Sequence, residues 1–198
     1  MKLVLATQNP KKLKEMNEIL RHLGVEVVSE AELGVRIEVE ETGETFTDNA
    51  RLKATAVMQA TGLPAVADDS GLCVDALDGG PGVYSARFGG EGLDDKGRYT
   101  LLLEMLRGQT DRAAHFHTSI VCAFPNGDEL VCEGECPGTI AFAPMGEGGF
   151  GYDPVFFVPE LRKTFGQLTA EEKASVSHRG KALRAVAAAL DDYLKGNE

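Results

Sequence analysis

Apolar residues recur along this chain with two distinct periods. Leu13, Met16, Ile19, Leu20 and Leu23 fall at helical spacing, which predicts a helix with one face in a core. Asn9 can cap it, Pro10 suits its first position and Gly24 can end it. Lys2 to Ala6 reads as a strand before that helix, and Val25 to Val28 as a second strand after it. Ala50, Ala54, Val57 and Met58 form the stripe of a helix from about Phe46 to Thr61, capped by Thr45 or Thr47 and stopped by Gly62 and Pro64. A third predicted helix covers about Asp95 to Arg107, with Tyr99, Leu102, Leu103 and Leu106 inward and Gly108 as its stop. Period two then takes over. Ala113 to Phe124 puts Phe116, Ile120, Cys122 and Phe124 on one strand face, Asn126-Gly127 signals a two-residue hairpin, and Glu129 to Cys136 returns. Val155 to Val158 is a short strand, Thr169 to Glu172 has capping-box spacing, and a last helix runs from about Gly180 to Leu194. Strands alternating with helices predict an α/β fold.

One stretch does not fit simple periodicity. Leu63-Pro64-Ala65-Val66 reads as a brief buried strand, and Ala67-Asp68-Asp69-Ser70-Gly71 closes it. Two adjacent carboxylates at a strand's end cannot both face a core unless water, a cation or a reacting phosphate compensates them. The same residues are also good chemistry for a solvated turn.

Composition narrows the classes. The chain has 198 residues, 43% hydrophobic and 26% charged, which suits one soluble globular unit. No apolar run approaches the roughly 20 residues of a membrane span. Met1 to Ala6 lacks a signal-peptide layout, and Cys73, Cys122, Cys132 and Cys136 form no CxxC pair. Reduced thiols and a cytoplasmic location follow as expectations. The net charge of -11 disfavours nucleic acid and anionic membrane as partners. It would also repel a polyphosphate unless lysines or a metal reverse the field locally. Lys11 and Lys12 at a strand-to-helix junction are therefore informative, because a helix start is a ready anion site. Lys53 sits at the edge of a buried stripe, where it is either a snorkelling side chain or a phosphate contact. His115 and His117 share a strand face but lack a third ligand nearby, so they read as solvated. Gly146-Glu147-Gly148-Gly149-Phe150-Gly151 formally matches G-x-G-x-x-G but leads into a strand, so it is no dinucleotide fingerprint. Its glycines instead suggest close backbone approach to a flat ligand beside Phe150 and Tyr152.

A series of motifs in fixed order carries a resemblance: Ala6-Thr7-Gln8-Asn9-Pro10-Lys11-Lys12, Glu40-Glu41-Thr42-Gly43, Asn49-Ala50-Arg51-Leu52-Lys53-Ala54, Ala67-Asp68-Asp69-Ser70-Gly71-Leu72, Pro81-Gly82-Val83-Tyr84-Ser85-Ala86-Arg87, Gly148-Gly149-Phe150-Gly151-Tyr152-Asp153-Pro154, and Glu172-Lys173 followed by Ser177-His178-Arg179. Together they closely resemble the inosine triphosphate pyrophosphatase family, which removes deaminated purine nucleoside triphosphates. Gln8 departs from the glycine or asparagine common at that position. The resemblance implies an elongated mixed central sheet flanked by helices, in two lobes with a cleft, formed by residues 1–198 as a single nucleotide pyrophosphatase domain. It further implies a homodimer and Mg²⁺ dependence. Asp69 becomes the catalytic base and a metal ligand, with Glu40 as the other metal residue and Glu41 and Asp68 close by. Thr7, Gln8, Asn9, Pro10, Lys11, Lys12, Lys53, Ser70 and Lys173 become phosphate contacts. Phe150, Gly151, Tyr152, Asp153, His178 and Arg179 become the base pocket.

The chemistry is coherent. Expelling pyrophosphate from the α-phosphorus needs cationic compensation, which Mg²⁺ and lysines supply. Hypoxanthine and xanthine carry an oxygen at C6 where adenine carries an amino group, so donors placed there discriminate strongly. Two other readings stand beside this one: a related pyrophosphatase of different base preference, and a nucleotide-binding module without turnover. The latter has no need of the carboxylate cluster.

Overall fold

The computed structural model describes residues 1–7 and 10–196, without the side chains of Pro10 and Lys11. Its elements are β1 (Lys2–Leu5), α1 (Pro10–Leu20), β2 (Glu26–Ser29), α2 (Phe46–Thr61), β3 (Ala65–Val74), α3 (Asp95–Met105), β4 (Ala113–Ala123), β5 (Glu129–Ile140), β6 (Phe156–Val158), β7 (Lys163–Thr164), α4 (Ala170–Val176) and α5 (His178–Gly196). The strands form one seven-stranded sheet in the order β2-β1-β3-β4-β5-β6-β7. β1 runs parallel to both β2 and β3, whereas β6 pairs antiparallel with β5 and β7. The parallel β1–β2 pair requires a crossover, and α1 supplies it. The mixed α/β architecture expected from the sequence is therefore present.

The chain divides into two compact units. The first holds Met1–Asp69, Thr118–Gly134 and the residues from Lys181 onward; the second holds Ser70–His117 and Glu135–Gly180. In the first unit, Leu3, Leu5, Val66, Ile120 and Cys122 pack against Met16 and Leu20 of α1 and Leu183, Val186 and Leu190 of α5. Residues one position along each strand face the other way. Val4 and Ala65 pack against Val57, and Ala67, Val121 and Ala123 against Ala50 and Ala54 of α2. This is the period-two alternation of a sheet covered on both faces. The second unit has its own core of Leu72, Val74, Leu102, Leu106, Phe116, Ile140, Phe156 and Phe165.

Helix ends follow local chemistry closely. Thr45 caps α2 by accepting from the Asp48 N–H, and Gly62 ends it at a φ of 68°. Thr169 and Glu172 form the expected capping box on α4. Gly24 terminates a single 3₁₀ turn, Arg21–Leu23, that continues α1. The last helix starts earlier than expected, at His178.

Two expectations fail. The Asp68-Asp69-Ser70-Gly71 stretch is neither strand end nor turn; β3 runs through it to Val74. The strand continues past Val66, the last residue paired with β1, on the β4 side of the sheet, and lysines offset the carboxylates. The hairpin after β4 is also not a two-residue turn. Gly127, at a φ of 92°, donates its N–H to the Phe124 carbonyl, and the Phe124 N–H donates to the Asp128 carbonyl. A two-residue turn at Asn126-Gly127 would need Pro125 to donate an N–H to Asp128, which proline cannot do, so the loop widens to Pro125-Asn126-Gly127 and Phe124 makes that bond instead.

Candidate functional site

Alternation along β3 sends its adjacent aspartates to opposite faces of the sheet. Asp68 is buried and accepts from Lys12 of α1 at 2.7 Å. Asp69 faces α2. Its Oδ2 accepts from Asn49 Nδ2 at 3.1 Å, and its Oδ1 lies 3.5 Å from Lys53 Nζ. Lys53 also donates to Glu41 at 2.7 Å. Asn49 and Lys53 reach the same aspartate because they stand one turn apart on α2. Glu40 is exposed, and Glu41 rather than Glu40 pairs with Lys53. Thr7 and Lys53 line a cavity of about 290 Å³ together with Glu30, Ile37, Glu38 and Val39. Gln8 and Asn9 lie outside the described residues, as do the side chains of Pro10 and Lys11.

The electrostatics of this cluster are coupled. Burial pushes the Asp69 carboxyl above its ordinary value and the nearby Glu41 adds to that, while Lys53 and Asn49 pull the other way. Burial alone would lower the Lys53 ammonium, but Asp69, Glu41 and Asp68 together hold it above the usual lysine value. A half-buried lysine is thus kept charged between carboxylates, one of which is poised to take a proton more readily than an ordinary aspartate. Among the described residues, no group of three or more His, Cys, Asp and Glu forms a ready-made metal cage.

The second unit gathers a different set. Asp153 is buried and forms a close ion pair with Lys173 of α4. Its Oδ2 also accepts the Phe150 N–H at 2.9 Å. Lys173 Nζ lies over the rings of Phe150 and Phe165, 4.8 and 5.2 Å from their centroids. Phe150 is 74% exposed, whereas Tyr152 is 4% exposed and donates its hydroxyl to the Ser85 carbonyl at 2.8 Å. Burial pushes the Tyr152 phenol up to about 12. Of the two aromatic rings expected beside a flat ligand, Phe150 alone presents a face to solvent. His178, at the start of α5, stacks on Phe116 with centroids 4.7 Å apart, and Arg179 beside it is half-buried. Ser70 is half-buried in β3. His117 pairs with Glu135 at 3.0 Å, with its side chain only 15% exposed, so it is less solvated than expected.

The glycine-rich loop is shaped by the chain's own packing. A Cβ on Gly149 would fall 1.8 Å from Asp153 Oδ2, and one on Gly146 would fall 2.3 Å from the Gly166 carbonyl. The loop is also tied to α3, since Asp95 accepts the Gly151 N–H at 2.7 Å. Asn49 and Ser85 stand in the quoted motifs and Asp95 at an expected helix start, but sequence reasoning assigned none of them a role. The i, i+4 spacing of Asn49 and Lys53 was the one available signal for the first.

Known proteins bear on these clusters. The dITP/XTP pyrophosphatase of an Exiguobacterium species is 50% identical over 99% of this chain and 100% of its own length. The protein of that name from Thermus thermophilus is 53% identical over 97% of this chain and 93% of its own. A solved HAM1 protein from Coxiella burnetii superposes with a TM-score of 0.93 at 43% identity, covering 97% of this chain and 99% of that one. The Ham1 protein of Staphylococcus aureus gives 0.91 at 40% identity over the full length of both. The resemblance read from the motif order is thereby borne out. The model of the Ham1 family matches residues 3–189, across β1, the lysine-bridged carboxylates, the glycine-rich loop and most of α5, and the chain belongs to that family.

Proposed function

We propose that this protein hydrolyses non-standard purine nucleoside triphosphates (ITP, dITP and XTP) to the monophosphate and pyrophosphate, keeping deaminated purines out of DNA and RNA. The observation that carries this is the Asp69–Lys53–Glu41 cluster, set in a chain about 50% identical, nearly end to end, to proteins named dITP/XTP pyrophosphatases. In the reaction, water attacks the α-phosphorus, the bond to the bridging oxygen of the β-phosphate breaks, and pyrophosphate leaves. Asp69 takes the proton from the attacking water. Its raised pKa suits that role, because a base works best when its pKa approaches the working pH.

Mg²⁺ is the cofactor of this reading. The donors at Asp69, Glu41 and neighbouring Glu40 are all carboxylate oxygens, the set a hard divalent cation prefers. Two of these carboxylates already hold a cation, the Lys53 ammonium. Mg²⁺ rarely uses a closed protein cage and completes its shell with water and substrate phosphates, so this open set fits. Bound there, the ion supplies charge neutralisation on the phosphate oxygens and acidifies coordinated water. Lys53, Lys12, Thr7 and Ser70 contact phosphates, as do Gln8, Asn9, Pro10 and Lys11 of the same sequence motif as Thr7. Asp68 holds Lys12 in place. Phe150 stacks on the base, and Gly151, Tyr152, Asp153, Lys173, His178 and Arg179 shape its pocket and phosphate approach. Donors facing the C6 oxygen of hypoxanthine or xanthine would be left unpaired by adenine.

The reading extends to a cytoplasmic homodimer. Four free cysteines suit a reducing compartment, and no helix among the described residues is long and apolar enough to cross a membrane. The exposed Phe142 and Met145 are apolar surface that a second copy would cover. The test is pyrophosphate release across ITP, dITP, XTP, ATP and GTP, with Mg²⁺ and with a chelator. We expect kcat/KM for ITP and XTP to exceed that for ATP by about 100-fold or more, with no turnover in chelator. Equal rates on all nucleotides would end the selectivity claim, and binding without release would make the protein a sensor.

A further inference from the structure

Asn49 is wholly buried in the first turn of α2, an unusual place for a carboxamide unless both its ends are used. They are. Its Oδ1 accepts the Gly43 N–H at 2.8 Å and its Nδ2 donates to Asp69 Oδ2 at 3.1 Å. The orientation of the amide is not arbitrary. A backbone N–H can only donate, so oxygen must face Gly43 and nitrogen must face Asp69. Asp69 is thereby held by a neutral donor on Oδ2, while Oδ1 stays turned toward Lys53.

The second half of the arrangement is Gly43. A Cβ there would come within 2.7 Å of Asn49 Oδ1, 2.7 Å of Asp48 Cβ and 2.8 Å of Asn49 N. The backbone of the Glu40–Gly43 segment can approach the amide only because position 43 has no side chain. One carboxamide therefore links the acidic segment to the aspartate of β3.

We propose that Asn49 is a positioning residue for the pyrophosphatase reaction: anchored by Gly43, it fixes the Asp69 carboxylate so that Oδ1 is the oxygen presented to the attacking water. The proposal rests on the function set out above and adds to it a residue that touches neither water nor substrate. A free aspartate rotates about its terminal torsion and exchanges its oxygens. Tethering one oxygen removes that freedom before substrate arrives, and misplacement of a reacting group by about 1 Å can cost roughly 100-fold in rate.

The experiment measures kcat and KM for ITP, with a thermal melt, for Asn49→Ala and Gly43→Ala, each alone and combined with Asp69→Asn. Alanine is the best helix former, so α2 persists in Asn49→Ala. Gly43→Ala keeps the Asn49 side chain but pushes its amide away from the Gly43 backbone. We expect kcat to fall about 10- to 100-fold in both variants with KM changed less than about threefold. In the Asp69→Asn background neither change should lower kcat by more than about twofold, because groups acting as one unit are not additive. A loss of structure alone would not give that split or that non-additivity. Asn49→Ala turning over ITP at the wild-type kcat, or fully additive losses with Asp69→Asn, would overturn the proposal while leaving the pyrophosphatase reading intact. A wild-type protein that releases no pyrophosphate would overturn both.

Discussion

Asp69 and Asp153 begin from the same chemical setting. Each is deeply set, each has a lysine partner, and burial pushes each carboxyl above its ordinary value. Their remaining contacts separate them. Asp153 has one oxygen bound at once by Lys173 and the Phe150 N–H, with Gly149 packed against it. It is an anchor that shapes the glycine-rich loop. Asp69 keeps Oδ1 at 3.5 Å from a lysine that it shares with Glu41. A shared, longer contact leaves that oxygen free to change partners. A raised pKa therefore does not by itself mark a base; under the proposed function, the second carboxylate on the lysine is what sets Asp69 apart from Asp153.

Exchange of each aspartate for asparagine is the sharpest way to break this comparison. Asp69→Asn should lose about 100-fold or more in kcat while folding normally, as removal of a general base does. Asp153→Asn should instead lose stability, on the order of 3 kcal/mol, because Lys173 is left without its partner. Chemical denaturation and pyrophosphate release on both variants decide this. A stable but inactive Asp153→Asn would reverse the assignment. Next in size, Gly149→Ala must relieve a close approach to Asp153 and adopt a φ of 80°, which should cost about 2 kcal/mol and raise KM for ITP more than it lowers kcat. A wild-type melting temperature would mean the loop yields freely.

The smallest effect lies in alkaline stability and compares the two cores. Burial pushes the Cys122 thiol in the first unit from 9.0 to about 12, and the Tyr152 phenol in the second from 10.0 to about 12. Both folded values lie above the unfolded ones, so the stabilisation is complete below the unfolded value and fades as pH climbs through the folded one. Unfolding free energy should then start to fall near pH 9 through Cys122, and near pH 10 through Tyr152. Cys122→Ala should flatten the slope from about pH 9, and Tyr152→Phe only above about pH 10. Urea titrations at fixed pH read both, and unchanged slopes would show that these groups ionise without unfolding the protein.

Much of the scaffold was legible because its signals are local. The α2 bounds, its Thr45 cap and its Gly62 stop act within one turn of the chain, as does the Thr169–Glu172 capping box. The site was legible only in part. Asp69, Lys53 and Glu41 stood out as charges in motifs, but Asn49, in the same motif as Lys53, carried no role of its own. Its meaning depends on Gly43 and Asp69, which no spacing rule brings to it. The glycine-rich loop was read as ligand-facing, whereas Gly146 and Gly149 are demanded by Gly166 and Asp153.

The sequence by itself determined the helices, their caps and the alternating strands, because hydrophobic period and backbone capping are decided by residues a few positions apart. Only the tertiary structure decided that Asp68-Asp69-Ser70-Gly71 is strand rather than turn. Pairing within the sheet, Lys12 from α1 on one face and Lys53 from α2 on the other stabilise a buried Asp68 and a half-buried Asp69 that the isolated segment would have turned out to water.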